Sequence, residues 1–187
     1  IRSALEKGYR VTTNTTVFNG VDEDDIIEMF EMVTDWGVEG VMVSPGYHFD
    51  MIPNQELFIS RQNARKVFKN ILDARRKIRF YNTPLYLDFL RGEQEYQCTA
   101  WSNPTYTVMG WREPCYLLGD RHTQDVNDLY ADDVWERYGV GNDPRCANCM
   151  MHCGFESASI FSAMSSPRAA IKLIKEGAVQ NSGVGAG

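Results

Sequence analysis

A mixed α/β fold is the class this sequence predicts, and three observations predict it. A Thr- and Val-rich segment, residues 10–17, lies between Gly8 and Asn19-Gly20 and reads as a strand. Asp22 then opens a stretch in which Ile26, Ile27, Phe30, Val33 and Trp36 recur at helical spacing until Gly37. Residues 39–43 form a second short apolar run, and strand, helix, strand with brief connections is the parallel crossover unit.

The remaining elements follow in order. Residues 1–7 read as the closing turns of a helix, with Ala4 and Leu5 as apolar contacts and Gly8 as the stop, so the chain is expected to be a fragment of a longer protein. Ser60 caps a predicted helix carrying Ala64, Val67, Phe68, Ile71 and Leu72 on one face. Residues 78–81 read as a third strand. Thr83-Pro84 places proline at the first position of a short helix with Leu85, Leu87, Phe89 and Leu90. After Gly92 the texture changes: residues 98–119 suggest loops and a hairpin, residues 125–138 a helix, and residues 157–176 a helix interrupted at Pro167. This divides the chain into an α/β part, 1–92, a cysteine-bearing extension, 93–176, and a Gly-rich tail, 177–187, expected to be flexible.

Composition narrows the function classes. With 187 residues, 43% hydrophobic and 12% aromatic, the chain can bury a substantial core. The net charge of −6 argues against nucleic acid, and the one basic run, Arg61, Arg65, Lys66, Lys69, Arg75, Arg76, Lys77 and Arg79, is spread by helical spacing over a solvated face. No apolar stretch reaches the ~18–20 residues of a membrane span and no signal peptide opens the chain, so a cytoplasmic location is expected.

Five cysteines carry the strongest chemical signal. Cys146, Cys149 and Cys153 form C-x2-C-x3-C, whose thiolates can face one centre without closing a long loop, and Cys115 is the candidate fourth ligand. Four thiolates suit an iron–sulfur cluster. Tetrahedral zinc, with Cys115 or His152 completing the site, and plain reduced thiols are the competing readings. An odd number of cysteines with no sign of secretion disfavours disulfides. Cys98 is read as the outsider of the five, although it and Cys115 can exchange roles.

Other signals are weaker. Thr12, Asn14 and Thr16 give the first strand a polar face, which suits a cofactor-holding lumen or, equally, a solvent-facing strand. Ser44-Pro45-Gly46-Tyr47-His48 follows the carboxyl end of the second strand, where α/β folds place ligands, and is otherwise an ordinary turn. The apolar run 80–90 either borders a lipid cavity or packs as a helix face. Neither His122 nor His152 stands at a spacing that argues a hydrolytic triad.

Four matches in order, YRVTTNTTVFNG at 9–20, GVEGVMVSPGY at 37–47, GWREPCYLLG at 110–119 and the C-x2-C-x3-C-G of 146–154, resemble the HpnH-type radical-SAM adenosylhopene transferases of hopanoid biosynthesis. The similarity runs from Ile1 to about Ile174. It implies the C-terminal part of a partial (βα) radical-SAM barrel followed by a cysteine-rich, mostly helical extension. It also implies S-adenosylmethionine and a [4Fe-4S] cluster, which give a 5′-deoxyadenosyl radical that adds to the alkene of a hopene lipid such as diploptene, with a reducing electron donor as partner. By their place on the last barrel strands, Asn14, Val43 and Ser44 are candidates for the cofactor end and Tyr47 for substrate contact. The catalytic C-x3-C-x2-C motif is absent, and Cys146-x2-Cys149-x3-Cys153 has its spacings in reverse order, so the resemblance puts the catalytic cluster upstream of Ile1 and leaves this fragment inactive alone.

The implied lipid requires peripheral contact with the inner face of the membrane, assigned here to Leu85, Leu87, Phe89 and Leu90. Two other functions compete. A radical-SAM enzyme maturing a peptide or cofactor would also carry cysteines after its barrel, and a non-catalytic iron–sulfur or zinc module would need no barrel.

Overall fold

The computed structural model describes residues 1–48, 52–74, 78–113, 115 and 117–181. Helix α1 (Arg2–Glu6) precedes strand β1 (Thr12–Val17), helix α2 (Glu23–Asp35) and strand β2 (Gly40–Pro45), and β1 pairs with β2 in parallel, Thr12 opposite Gly40 through Val17 opposite Pro45. The crossover helix begins where its sequence dictates, the Asp22 carboxylate accepting from the Asp24 N–H at 2.9 Å. It ends where Gly37 takes a φ of +93°, a conformation that costs a glycine little.

Helix α3 (Arg61–Asp73) starts at Ser60, whose hydroxyl accepts from the Asn63 N–H. The expected third strand is reduced to a single parallel bridge, Val41 to Phe80, flanked by hydrogen bonds from Val41 N–H to the Arg79 carbonyl and from Tyr81 N–H to the Val41 carbonyl. Helix α4 (Pro84–Arg91) is capped by Thr83 at one end and by Gly92 at the other. Next come the antiparallel strands β3 (Tyr106–Thr107), β4 (Gly110–Glu113) and β5 (Arg121–Thr123). The segment expected as one helix breaks into α5 (Val126–Leu129) and α6 (Asp132–Glu136), and a 3-10 turn, Pro144–Cys146, leads to α7 (His152–Ser165) and α8 (Pro167–Asn181).

Several expectations are corrected. Helix α7 starts at His152 rather than near residue 157, which puts Cys153 in its first turn. Helix α8 continues past Gly177 to Asn181, so residues 177–181 of the expected tail are helical, while 182–187 lie outside the described residues. Arg75, Arg76 and Lys77 of the basic run also lie outside them. The assignment of membrane contact to α4 fails on burial: Leu85, Leu87, Phe89 and Leu90 are each at most 3% exposed. A helix apolar on nearly every face is covered on every face, here by α3, α7 and α8.

One hydrophobic core joins the α/β part to the extension. Val17, Phe30, Val41, Phe68, Leu72 and Phe89 share it with Met150 and Phe155. The Phe89 and Phe155 rings stack at 4.5 Å between centroids, and the Tyr86 hydroxyl donates to the Met150 carbonyl at 2.8 Å. Asp88, buried on α4, pairs with Arg91 and with Lys172 of α8. Among the described residues no helix is long and apolar enough to cross a membrane.

Candidate metal centre

Packing of α7 on α4 brings the cysteine segment against the end of the α/β part. Cys98, Cys115, Cys146 and Cys149 line one cavity of about 130 Å³, with Tyr47, Trp101, Trp135, Tyr138 and Phe155 among its other walls. Cys153 does not line it, yet it stands within electrostatic reach of Cys98 and Cys149. All five thiols are free of disulfides and partly buried.

Placement of Cys98 is the main surprise. Its sulfur rests on the backbone of Gly154, so closely that a Cβ at that position would collide with it. The contact is held by hydrogen bonds from the Thr99 N–H to the Gly154 carbonyl at 3.0 Å and from the Thr99 hydroxyl to the same oxygen at 3.1 Å. Cys98, read from the sequence as the outsider or as exchangeable with Cys115, thus lines the same cavity as Cys115, Cys146 and Cys149. The signal that could have located it is Gly154 itself, a small residue directly after the last cysteine.

Burial dominates the electrostatics of these thiols. It pushes the Cys98 thiol up to about 12, lifts Cys149 well above the ordinary thiol range and raises Cys146. Nearby backbone N–H groups, of Ala100 for Cys98, Met151 for Cys149 and Gly139 for Cys146, pull in the opposite direction. Left to itself such a pocket keeps protons on sulfur, whereas a bound cation would stabilise the thiolates that the N–H groups already favour.

The wall around the thiols is held by residues outside the cysteine motif. Tyr47 is buried, and its hydroxyl donates to the Arg145 carbonyl at 2.9 Å, tying the turn after β2 to the residue before Cys146. Arg145 in turn binds Asp120 through two nitrogens, at 2.6 and 2.7 Å, and Asp143 at 2.7 Å. The hydrogen bonds from Arg145 hold both carboxyls below the usual carboxylate range. Behind Cys149, the Arg61 guanidinium lies over the Phe89 and Phe155 rings at 5.0 and 5.4 Å and pairs with Glu95.

A second polar cluster lies at the carboxyl end of the sheet. The Val43 N–H donates to Asn82 Oδ1 at 2.7 Å, and the Thr83 N–H donates to Glu156 Oε1 at 2.6 Å. Burial raises the Glu156 carboxyl above its ordinary range. Val43 and Ser44 are buried here, while Asn14 is exposed on β1. Tyr47, the candidate for substrate contact, belongs to the wall of the cysteine cavity.

Among the described residues, no group of three or more His, Cys, Asp or Glu side chains is arranged to hold a metal ion as the chain stands. The donor chemistry nonetheless fits a thiolate-bound centre, because four sulfurs and no carboxylate line the cavity, and turns rather than helices carry Cys115, Cys146 and Cys149.

No curated protein and no solved structure matches the chain. The family model described as a domain of unknown function, DUF3463, matches residues 41–173, well over half of the chain, and covers β2 from Val41 on, α4 and all five cysteines. On that match, the chain belongs to the DUF3463 family.

Proposed function

We propose that this chain is the C-terminal part of a radical-SAM transferase resembling the adenosylhopene-forming enzymes, and that its cysteines hold an auxiliary iron–sulfur centre. The observation that carries the reading is the convergence of four thiols from three separate stretches of chain, around residues 98, 115 and 146–149, on one largely aromatic cavity. The ordered sequence matches at 9–20, 37–47 and 110–119 supply the rest of the argument.

On this reading β1 and β2 are the last strands of a partial (βα) barrel, and the ligands of the catalytic [4Fe-4S] cluster lie upstream of Ile1. S-adenosylmethionine, when bound at such a cluster, would supply the adenosyl group for transfer. The residues described here bind and orient: thiolates anchor the auxiliary centre, Tyr47 fixes the Cys146 turn through the Arg145 carbonyl, and the Trp101, Trp135 and Phe155 rings exclude water. A low-polarity shell with N–H donors to sulfur is the means by which a protein adjusts the potential of such a centre. A hopene lipid as substrate, an electron donor as partner and peripheral contact with the bilayer belong to the same proposal, the contact no longer assigned to α4.

Anaerobic reconstitution of the full-length protein tests this. Incubation with S-adenosylmethionine, a reductant and diploptene is expected to give an adenosyl adduct by mass spectrometry, with iron and sulfide for about two clusters per chain. Changing both Cys146 and Cys149 to Ser is expected to lower the metal content to about one cluster. Absence of the adduct overturns the transferase reading. Metal content unchanged by the substitutions, with no zinc found, leaves these cysteines as plain thiols.

A further inference from the structure

We propose that the auxiliary centre is bound by Cys98, Cys115, Cys146 and Cys149, with Cys153 outside the ligand set. This rests on the iron–sulfur reading above and specifies its ligands, replacing the set that the compact C-x2-C-x3-C spacing suggests.

Three observations select these four. Each of them lines the cavity, and Cys153 does not. Cys98 is locked there by its seat on Gly154 and by the two hydrogen bonds from Thr99, so its position is built rather than incidental. Backbone N–H groups of Ala100, Gly139 and Met151 lie near Cys98, Cys146 and Cys149 and favour their thiolates.

Placement separates Cys115 from Cys153. The Cys115 carbonyl accepts from the Gly119 N–H at 2.9 Å, Cys146 ends a 3-10 turn, and Cys149 follows it, so none of these three lies in an α-helix. Cys153 sits in the first turn of α7. That helix is pinned two residues later by Phe155 stacked on Phe89, and at Glu156 by the Thr83 N–H. Cys153 therefore belongs to a packed helix rather than to the wall of the cavity. Gly154 fits this assignment: it gives way to the sulfur of Cys98, and any side chain there would evict a ligand.

The test uses the full-length protein, reconstituted anaerobically, with Cys98→Ser, Cys153→Ser and Cys146→Ser compared by iron and sulfide content and by electron paramagnetic resonance of the reduced state. Circular dichroism confirms that each variant is folded. Cys98→Ser and Cys146→Ser are expected to fall from roughly eight to roughly four irons per chain and to lose one set of resonances, while Cys153→Ser keeps both clusters. A loss in Cys153→Ser, with or without one in Cys98→Ser, overturns the assignment, as does full retention in Cys98→Ser when Cys146→Ser loses a cluster. If none of the three variants loses metal, the auxiliary centre itself fails. If zinc rather than iron is lost from Cys98→Ser and Cys146→Ser alone, the ligand set stands and the iron–sulfur reading falls.

Discussion

Gly154 shows how a single residue can decide whether a site exists. The sulfur of Cys98 takes the space a side chain would occupy, so Gly154→Ala must push Cys98 out of the cavity or move the start of α7. The expected outcome is metal loss resembling that of Cys98→Ser in reconstituted full-length protein, and unchanged metal content would show that the seat is not needed. Tyr47→Phe is a milder change. It removes one hydroxyl donor to the Arg145 carbonyl and is expected to cost about 1 kcal/mol in denaturant unfolding, without loss of the core, because the ring stays buried.

At the scale of elements, α4 is the piece on which the extension is assembled. Its N-terminus is satisfied twice, by the Thr83 hydroxyl accepting from the Tyr86 N–H and by Glu156 of α7 accepting from the Thr83 N–H. Its aromatic face stacks Phe89 on Phe155 and, at 6.1 Å, on Tyr86. Phe89→Ala should therefore cost about 3–5 kcal/mol, the range for emptying a buried aromatic site, and should loosen α7 more than α2. Hydrogen exchange by segment checks this, and equal protection loss in α2 and α7 would contradict it. Glu156 also makes that contact pH-dependent. A carboxyl whose pKa is raised by burial contributes most to stability below the ordinary Glu value of ~4.3, and that contribution is lost as pH rises through the raised value. The positive charge of nearby His152 opposes the shift. Relative to Glu156→Gln, the wild type is expected to gain stability as pH is lowered toward the ordinary Glu value, and a difference independent of pH would show that the Glu156 carboxyl is not raised.

For the whole molecule, the described strands leave one edge of the parallel sheet open. β1 pairs with β2 alone, and its Thr12, Asn14 and Thr16 side chains are exposed. An unpaired edge in a twisted sheet is a template for another strand, so these 187 residues expressed alone are expected to self-associate. Sedimentation and thermal unfolding check the point, since a monomer with one cooperative transition would contradict it. The same view changes how the extension is understood. Phe155, Met150 and Cys149 pack into or against the core of the α/β part, so the cysteine cavity and the sheet form one packed body, and disturbance of α4 reaches the thiols.

Local instructions were legible in the sequence because their physics spans only a few residues. Asp22, Ser60 and Thr83 cap the helices predicted for them, Gly37 and Gly92 stop them, and the parallel β1–α2–β2 unit follows from alternation of strand and helix periods. The spacing of Cys146, Cys149 and Cys153 likewise set three thiols within eight residues, a purely local fact. Tertiary packing decided what no local pattern contains. It buried α4 on every side, reduced the third strand to the bridge at Phe80, and carried Cys98 across the fold to Gly154. The reason is that a thiol's neighbours depend on which helix faces meet, here Phe89 against Phe155, and that meeting is fixed by the shape and volume of the whole core rather than by any residue's own stretch of chain.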